Sequence, residues 1–468
     1  MTSVPRSTAT PIVMTGGPPL IKGFFWLLTA MVLVLHFVPG SGIVVFIAIT
    51  IHSLRGSRQA LESMTLLAFL LIVNKAVAPV DISAFRWLVL FAAFGRVMWD
   101  SFMMGGKQTP FVAVIILFSI SIGFLSLLTS YIPLVSILKI TSFALALLTV
   151  FMAAAKTQHL HVHWNRWFTT FAFFVVVASV PLYLMDAGYQ RNGVGFQGIL
   201  THPQTFGAVM AMFTAFFTGR LLFEGELSKV TLFGAICGWF GIFASLARTA
   251  LLAVLLGLIA LSVLGYFVVQ NWRPQISRAL SLWYVQLGII AFMAVSVLQF
   301  SAISESIQDF LTKDAGTDAS ITESLMSSRS YLINRSMANF RSSPLTGIGF
   351  GVPSDFSYGR VQTGAFGLPV GASVEKGFMP SAVLEETGIV GAILVLIMLT
   401  LLFRPLVRVG RIPMFWMASV AVLVNLGEMV FFSVGGMGML VWIVLAFTYT
   451  DAITPKYIAV IETEYVPA

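Results

Sequence analysis

The chain reads as an all-α polytopic integral membrane protein, and three observations predict that class. Apolar residues make up 58% of its 468 residues and charged ones only 10%, where soluble domains carry roughly 25% charged residues. Apolar runs close to the about 20 residues that cross a bilayer as a helix recur along the whole length. Basic residues gather in the short polar segments between these runs, and they favour every second one. Mean hydropathy is +0.93. The formal charge of +8 therefore orients the protein in a membrane and does not point to nucleic acid. The single cysteine, Cys237, falls inside an apolar run, which excludes an intramolecular disulfide and indicates no thiol chemistry.

Taken in order, residues 1–20 are a Pro/Gly/Thr-rich tail without the pattern of a cleavable signal, so the first span is expected to remain. Apolar segments follow at 21–39, 41–54, 62–79, 84–99, 110–130, 133–154, 166–185, 204–222, 228–246, 248–269 and 281–300, giving eleven spans over 21–300. A long polar loop runs from 301 to 380. Segments 381–403, 413–431 and 434–450 close the membrane part, before a tail at 451–468. The second and fourth segments are short, so about 12–14 transmembrane helices are expected.

With the N-terminus cytoplasmic, the inner side carries Lys22, Arg55, Arg58, Arg96, Lys107, Lys156, Arg166, Arg220, Lys229, Arg273, Arg278, Arg404, Arg408 and Arg411. The short outer loops hold few, chiefly Lys75, Arg86, Arg191 and Arg248. The rule that positive charge stays inside then puts the 301–380 loop outside, the periplasm of a bacterium. No internal repeat is visible, so the signature of many transporters is missing.

Exceptions to that rule mark candidate chemistry. GYQRNGVGFQGILTHPQTFG places Arg191 before a Gly-rich turn and His202 just ahead of Pro203, a residue suited to the first turn of a helix whose N–H groups would face an outer anion. The bland alternative is a solvated arginine in an ordinary turn. In SLARTALL, Arg248 opens a span on the outer side. Taken alone it could simply reach to the interface. Within the long loop, 324–342 reads as an amphipathic helix with Leu325, Leu332, Ile333, Met337 and Phe340 on one side. Arg329 and Arg335 stand six apart, about 600° of helix, so they occupy different faces and serve different ends. The Ser-Ser-Pro break stops this helix. Gly347, Gly349 and Gly351 then allow a tight backbone path near a ligand, without the strand or helix context of a nucleotide-binding loop.

The segments Arg191-Asn-Gly…His202-Pro-Gln, Ser245-Leu-Ala-Arg248-Thr, Arg329…Pro344-Leu-Thr-Gly347-Ile-Gly349-Phe-Gly351 and Leu384-Glu-Glu386-Thr-Gly388-Ile-Val-Gly391 occur in this order. Together they resemble the O-antigen ligase and O-antigen polymerase (Wzy-type) superfamily over most of residues 185–395. The resemblance implies a GT-C-like, metal-independent glycosyltransferase with one long periplasmic loop near its C-terminal end. Its donor would be an undecaprenyl-diphosphate-linked oligosaccharide, and its localisation the bacterial inner membrane. Arginines would bind the diphosphate, which agrees with the permanently charged fork of a guanidinium. Arg191, Arg248 and Arg329 would stabilise the charge that develops as the diphosphate leaves, and Arg335, Lys376 and His202 are further candidate ligands of the diphosphate.

Ligases of this superfamily commonly carry a histidine shortly before the Glu-Thr-Gly motif. Here Lys376 and Gly377 stand in that place, which favours a polymerase. Glu375 is the first candidate for the general base and Glu386 the second, with a structural hydrogen bond as the plain alternative for Glu386. No cofactor and no metal is expected. His159, His161 and His163 alternate on the cytoplasmic side, where a zinc site would need ligands from other elements. Lys139 lies within a span and Glu428 near the outer end of another, positions where charge is costly. VGGMGM at 434–439 is expected to permit close helix packing. Partners implied are the lipid-linked oligosaccharide, membrane lipid, a chain-length regulator and other assembly proteins. The rivals are a ligase acting on another acceptor, a transporter or flippase of lipid-linked sugars, and a non-catalytic assembly partner.

Overall fold

A computed structural model describes residues 21–80, 85–104, 109–157, 161–191, 193–283, 285–287, 290, 321–355, 361–363, 369–372 and 376–453. The helices are α1 (Lys22–Phe37), α2 (Gly42–Ser53), α3 (Ser57–Ile72), α4 (Phe85–Met104), α5 (Pro110–Thr129), α6 (Pro133–Lys156), α7 (His161–Ser179), α8 (Pro203–Gly219), α9 (Lys229–Ser245), α10 (Arg248–Val263), α11 (Arg273–Ser281), α12 (Ile321–Ser342), α13 (Met379–Val409), α14 (Ile412–Leu423) and α15 (Gly436–Ile453). Among the described residues, seven helical stretches are long and apolar enough to cross a membrane, and four shorter apolar helices accompany them. The protein is thus a multi-pass helical membrane protein. Each expected apolar segment falls on a helix except 281–300, most of which lies outside the described residues. So do Glu375, His159 and the 301–320 stretch.

Two expectations change. The loop is not wholly helical or irregular: β1 (Val361–Thr363) pairs antiparallel with β2 (Pro369–Ala372), Gln362 opposite Gly371. The third segment starts early, at Ser57, and stops at Ile72 rather than running to 79. Asn74 ends it by accepting the Ala76 N–H on Oδ1 (3.0 Å), a side-chain turn that competes with helical bonding.

The helix termini meet in two groups, which gives the bundle two ends. At one end Asp100 of α4 accepts both the N–H and the hydroxyl of Ser57 (2.9 and 2.6 Å) and pairs with Arg96 (2.9 Å). Lys156 donates to the Asp100 carbonyl there (2.7 Å), and Arg411 pairs with Asp451 (3.6 Å). This end carries Arg55, Arg58, Arg220 and Arg408 as well. The opposite end carries the long loop and is called the loop end below. Close packing relies on missing side chains: Gly234, Gly238 and Gly241 of α9 lie against Phe217, Thr214 and Met210 of α8. The 434–439 segment packs as expected, with Gly436 (φ +54°) against Leu71 and Ile72 of α3.

Candidate functional site

The loop end is organised by a break in α13. Gly388 has φ +62° and ψ −166°, a backbone region essentially reserved for glycine, about 13 Å along the helix from Met379. A regular helix would bond the N–H of 389 to the carbonyl of 385 and that of 390 to 386. Instead the Pro-Leu-Thr-Gly-Ile-Gly loop takes all four groups. Ile389 N–H donates to the Pro344 carbonyl (2.9 Å) and Val390 N–H to that of Leu345 (3.2 Å). Ile348 N–H donates to the Glu385 carbonyl (2.8 Å) and Gly349 N–H to that of Glu386 (3.2 Å). Irregular backbone within an apolar helix is tolerable only where protein satisfies it, and here the loop does so bond for bond.

The loop's glycines follow from this insertion. Gly347 (φ +71°) has no room for a Cβ, which would lie 2.5 Å from the Glu386 carbonyl carbon. Gly349 and Gly351 also have positive φ and press against Ser130 and Lys139. Phe350 between them is fully buried, in a socket of Phe118, Phe143 and Phe432 with ring centroids 6.4, 5.6 and 4.9 Å away. Its N–H donates to Ser126 Oγ (3.0 Å).

Beside the break sits a buried cluster of charge. Lys376 Nζ lies 2.9 Å from Glu385 Oε2 and 3.5 Å from Glu386 Oε1, with all three side chains at most 3% exposed. Glu385 also accepts from Ser336 Oγ (2.7 Å) and Asn339 Nδ2 (2.6 Å) of α12, and from Ser354 Oγ (3.1 Å). Glu386 Oε2 accepts the Gly351 N–H (2.7 Å), while Lys139 of α6 donates to the Gly351 carbonyl (2.5 Å). Two lysines and two carboxylates thus meet with their charges balanced, the arrangement that makes buried ions tolerable.

A second construction holds Arg191, His202 and Arg248. The 186–202 segment is laid across the end of α3: Asn74 N–H donates to the Ile199 carbonyl (2.7 Å), Thr201 N–H to that of Ile72 (2.8 Å), and Asn74 Nδ2 to that of Ala187 (2.8 Å). Arg191 is exposed, and its N–H donates to the side chain of buried Gln197 (3.1 Å). His202 caps α8 by accepting the Gln204 N–H on Nδ1 (3.1 Å), which puts the proton of the neutral ring on Nε2. The Ser-Leu-Ala-Arg turn is tightly fixed. Leu246 is the one non-glycine with positive φ among the described residues (+53°). Ser245 Oγ accepts the Ala247 N–H (3.2 Å), and Phe196 N–H donates to the Ala244 carbonyl (3.0 Å). A leucine in this region costs about 1–2 kcal/mol, and the turn delivers half-buried Arg248 as the first residue of α10. A cation there opposes the positive end of the helix dipole, so its position needs a reason other than helix stability.

Segment 424–433 bridges the two constructions. Gly427 packs on Thr249, next to Arg248, and Met429 N–H donates to the Lys376 carbonyl (3.1 Å). Phe432 completes the Phe350 socket.

The candidate residues therefore stand as follows. The segments that carry Arg191, His202 and Arg248 meet at Gly195, which abuts Ser245 and Pro203. Arg335 is half-exposed and engaged, with Nη2 3.5 Å from Asp355 Oδ2 and Nε donating to the Ser354 carbonyl (3.3 Å). Lys376 and Glu386 lie in the interior, bound to each other, away from the outer surface. Position 329 is within α12, its side chain outside the described set, and Glu375 lies outside it altogether. Sequence reasoning passed over Glu385, Ser336, Asn339 and Asn74. The signal for Glu385 was present: paired glutamates inside an apolar run demand buried partners. No known protein family matches the chain, and no curated protein matches it.

Proposed function

We propose that the chain is a polymerase of a bacterial surface polysaccharide, an O-antigen or exopolysaccharide. In this reading it is a GT-C-like, metal-independent glycosyltransferase of the inner membrane whose loop end faces the periplasm. It transfers glycan from undecaprenyl diphosphate to the end of a lipid-linked repeat unit. The observation that supports this is convergence. Four sequence segments, scattered over 185–395, meet at one end of the bundle, opposite the end where basic residues crowd.

The chemistry is a displacement. An acceptor sugar hydroxyl attacks the anomeric carbon, the bond from that carbon to the diphosphate oxygen breaks, and the diphosphate leaves with the electron pair. Arg191, Arg248 and Arg329 are assigned to that developing charge, with His202 and Arg335 at its margin. The hydroxyl proton needs a base. Glu386 is enclosed by Lys376 and the Gly351 N–H, so it is assigned to holding the loop and Glu375 to the proton. Lys376 moves likewise from diphosphate ligand to partner of the two glutamates.

A transporter of the same lipid has one observation in its favour, the broken span, since discontinuous helices build many transporter sites. Here the break is filled by the protein's own loop and its charges are mutually paired, which favours the enzyme.

The test is extension of a synthetic undecaprenyl-diphosphate oligosaccharide by purified protein in liposomes. The wild type is expected to yield a ladder of repeats, and Arg191→Ala, Arg248→Ala and Arg329→Ala each to lose about 100- to 1000-fold in rate. A ladder that appears only when a second acceptor is supplied favours a ligase. Movement of lipid between leaflets without extension sinks the enzyme reading.

A further inference from the structure

We propose that Glu385 is a positioning residue, whose carboxylate fixes the part of α12 carrying Arg329 over the loop end. The inference rests on the glycosyltransfer reading and adds to it a residue that never meets substrate.

Glu385 is fully buried and accepts from the Ser336 hydroxyl (2.7 Å), the Asn339 amide (2.6 Å) and the Ser354 hydroxyl (3.1 Å), while the Lys376 ammonium pairs with it at 2.9 Å. These donors come from α12, from the segment after the glycine loop and from the chain returning to α13. One carboxylate thus ties three stretches together. Only an ionised carboxylate accepts from all of them, because an amide would turn its own NH2 toward a donor.

The geometry of α12 gives this anchor its consequence. Ser336 and Asn339 are three apart and share a helical face. Position 329 stands seven before Ser336, about 20° from it around the helix and about 10 Å along the axis. Arg335, four before Asn339, adjoins the same face, and its half-exposed side chain ties to Asp355 and to the Ser354 carbonyl. Asn339 adds a second bond, to the Ser354 carbonyl (2.8 Å). The buried hold on α12 is therefore made at Ser336 and Asn339, about two turns beyond position 329. A guanidinium that must meet charge developing on a leaving diphosphate gains from such a support, because a misplacement of about 1 Å can cost about 100-fold in rate.

The test uses Ser336→Ala/Asn339→Ala in the full-length protein. This variant removes the two α12 donors but leaves Lys376 and Ser354 on Glu385, so no buried charge is stranded. Spin labels at Ala338→Cys and Tyr131→Cys, in a Cys237→Ala background, report the distance from α12 to the α5–α6 turn. The expected results are a broadened distance distribution and a kcat lowered about 10- to 100-fold with donor KM nearly unchanged, the mark of an interaction used in the transition state. Ser336→Thr, which keeps the hydroxyl, is expected to retain the wild-type kcat. A distribution as narrow as wild type overturns the proposal, as does a broadened one with kcat intact. A wild type that extends nothing fails the polymerase reading alone, and the distance measurement still decides the anchor.

Discussion

At the scale of single residues, the protein pairs Lys376 with Glu385 and Glu386 in its interior and holds Lys139 beside them on the Gly351 carbonyl. Lys376 is the member whose loss leaves most undone, since it faces both Glu385 and Glu386. Removing one partner of a buried pair leaves an uncompensated charge, worth about 3–5 kcal/mol. Lys376→Met is therefore expected to lower the unfolding midpoint of the purified protein in detergent, followed by tryptophan fluorescence, far more than Lys376→Arg does. Equal midpoints for Lys376→Met and the wild type would show that the cluster is not a closed ionic unit.

The same residues show where sequence reading reached its limit. Lys376 stands in a polar loop and looks like a surface cation. Nothing local reveals that it turns inward, because its partners, Glu385 and Glu386, lie further downstream in an apolar run. Glu386 was singled out for chemistry, whereas Glu385 was passed over, although it holds more partners. Side-chain burial in a loop is set by tertiary contacts that no short-range pattern encodes. The arginine turns were more legible, because a charge on the depleted side of a membrane protein is visible from spacing alone.

At the scale of elements, the break in α13 explains why two glycine-bearing motifs far apart in the chain belong together. The carbonyls released at 385 and 386 are taken by loop N–H groups, and the N–H groups released at 389 and 390 are taken by loop carbonyls. Gly388 makes the exchange possible, because its φ of +62° with ψ of −166° is closed to other residues and a Cβ there meets the Leu345 carbonyl. Gly388→Ala is expected to cost about 3 kcal/mol or more through strain and the lost bonds together. Gly23→Ala, in α1 with nothing within 4 Å of the added Cβ, is expected to be neutral or slightly stabilising. Limited proteolysis of the 344–351 loop, compared between the two variants, measures the effect where it arises. Protection of the loop in Gly388→Ala would contradict the exchange. Hydropathy identified this segment as a single span and could not see the break, because glycine interrupts a helix only when something else supplies its hydrogen bonds.

At the scale of the whole molecule, the helices place almost every unusual feature at one end. The glycine loop, the buried ionic cluster, the strained Leu246 turn and the turn bearing Arg191 are joined there by the 424–433 segment. The class of fold and the segments that form helices followed from hydropathy, since lipid exposure imposes a strong and simple pattern. Convergence of the four motif segments could not follow from hydropathy, because it depends on which helices pack side by side. Enzyme and transporter diverge at this scale. An enzyme of the proposed kind meets its lipid diphosphate at the loop end, whereas a transporter meets it at both ends. Site-specific photocrosslinking with a labelled polyprenyl-diphosphate oligosaccharide separates them, with photoreactive groups at exposed Val194 beside Arg191, at exposed Tyr331 on α12, and at exposed Phe267 on the opposite end. Adducts are expected at 194 and 331, lost on competition with unlabelled lipid, and none at 267. Adducts at 267 equal to those at the loop end would contradict it.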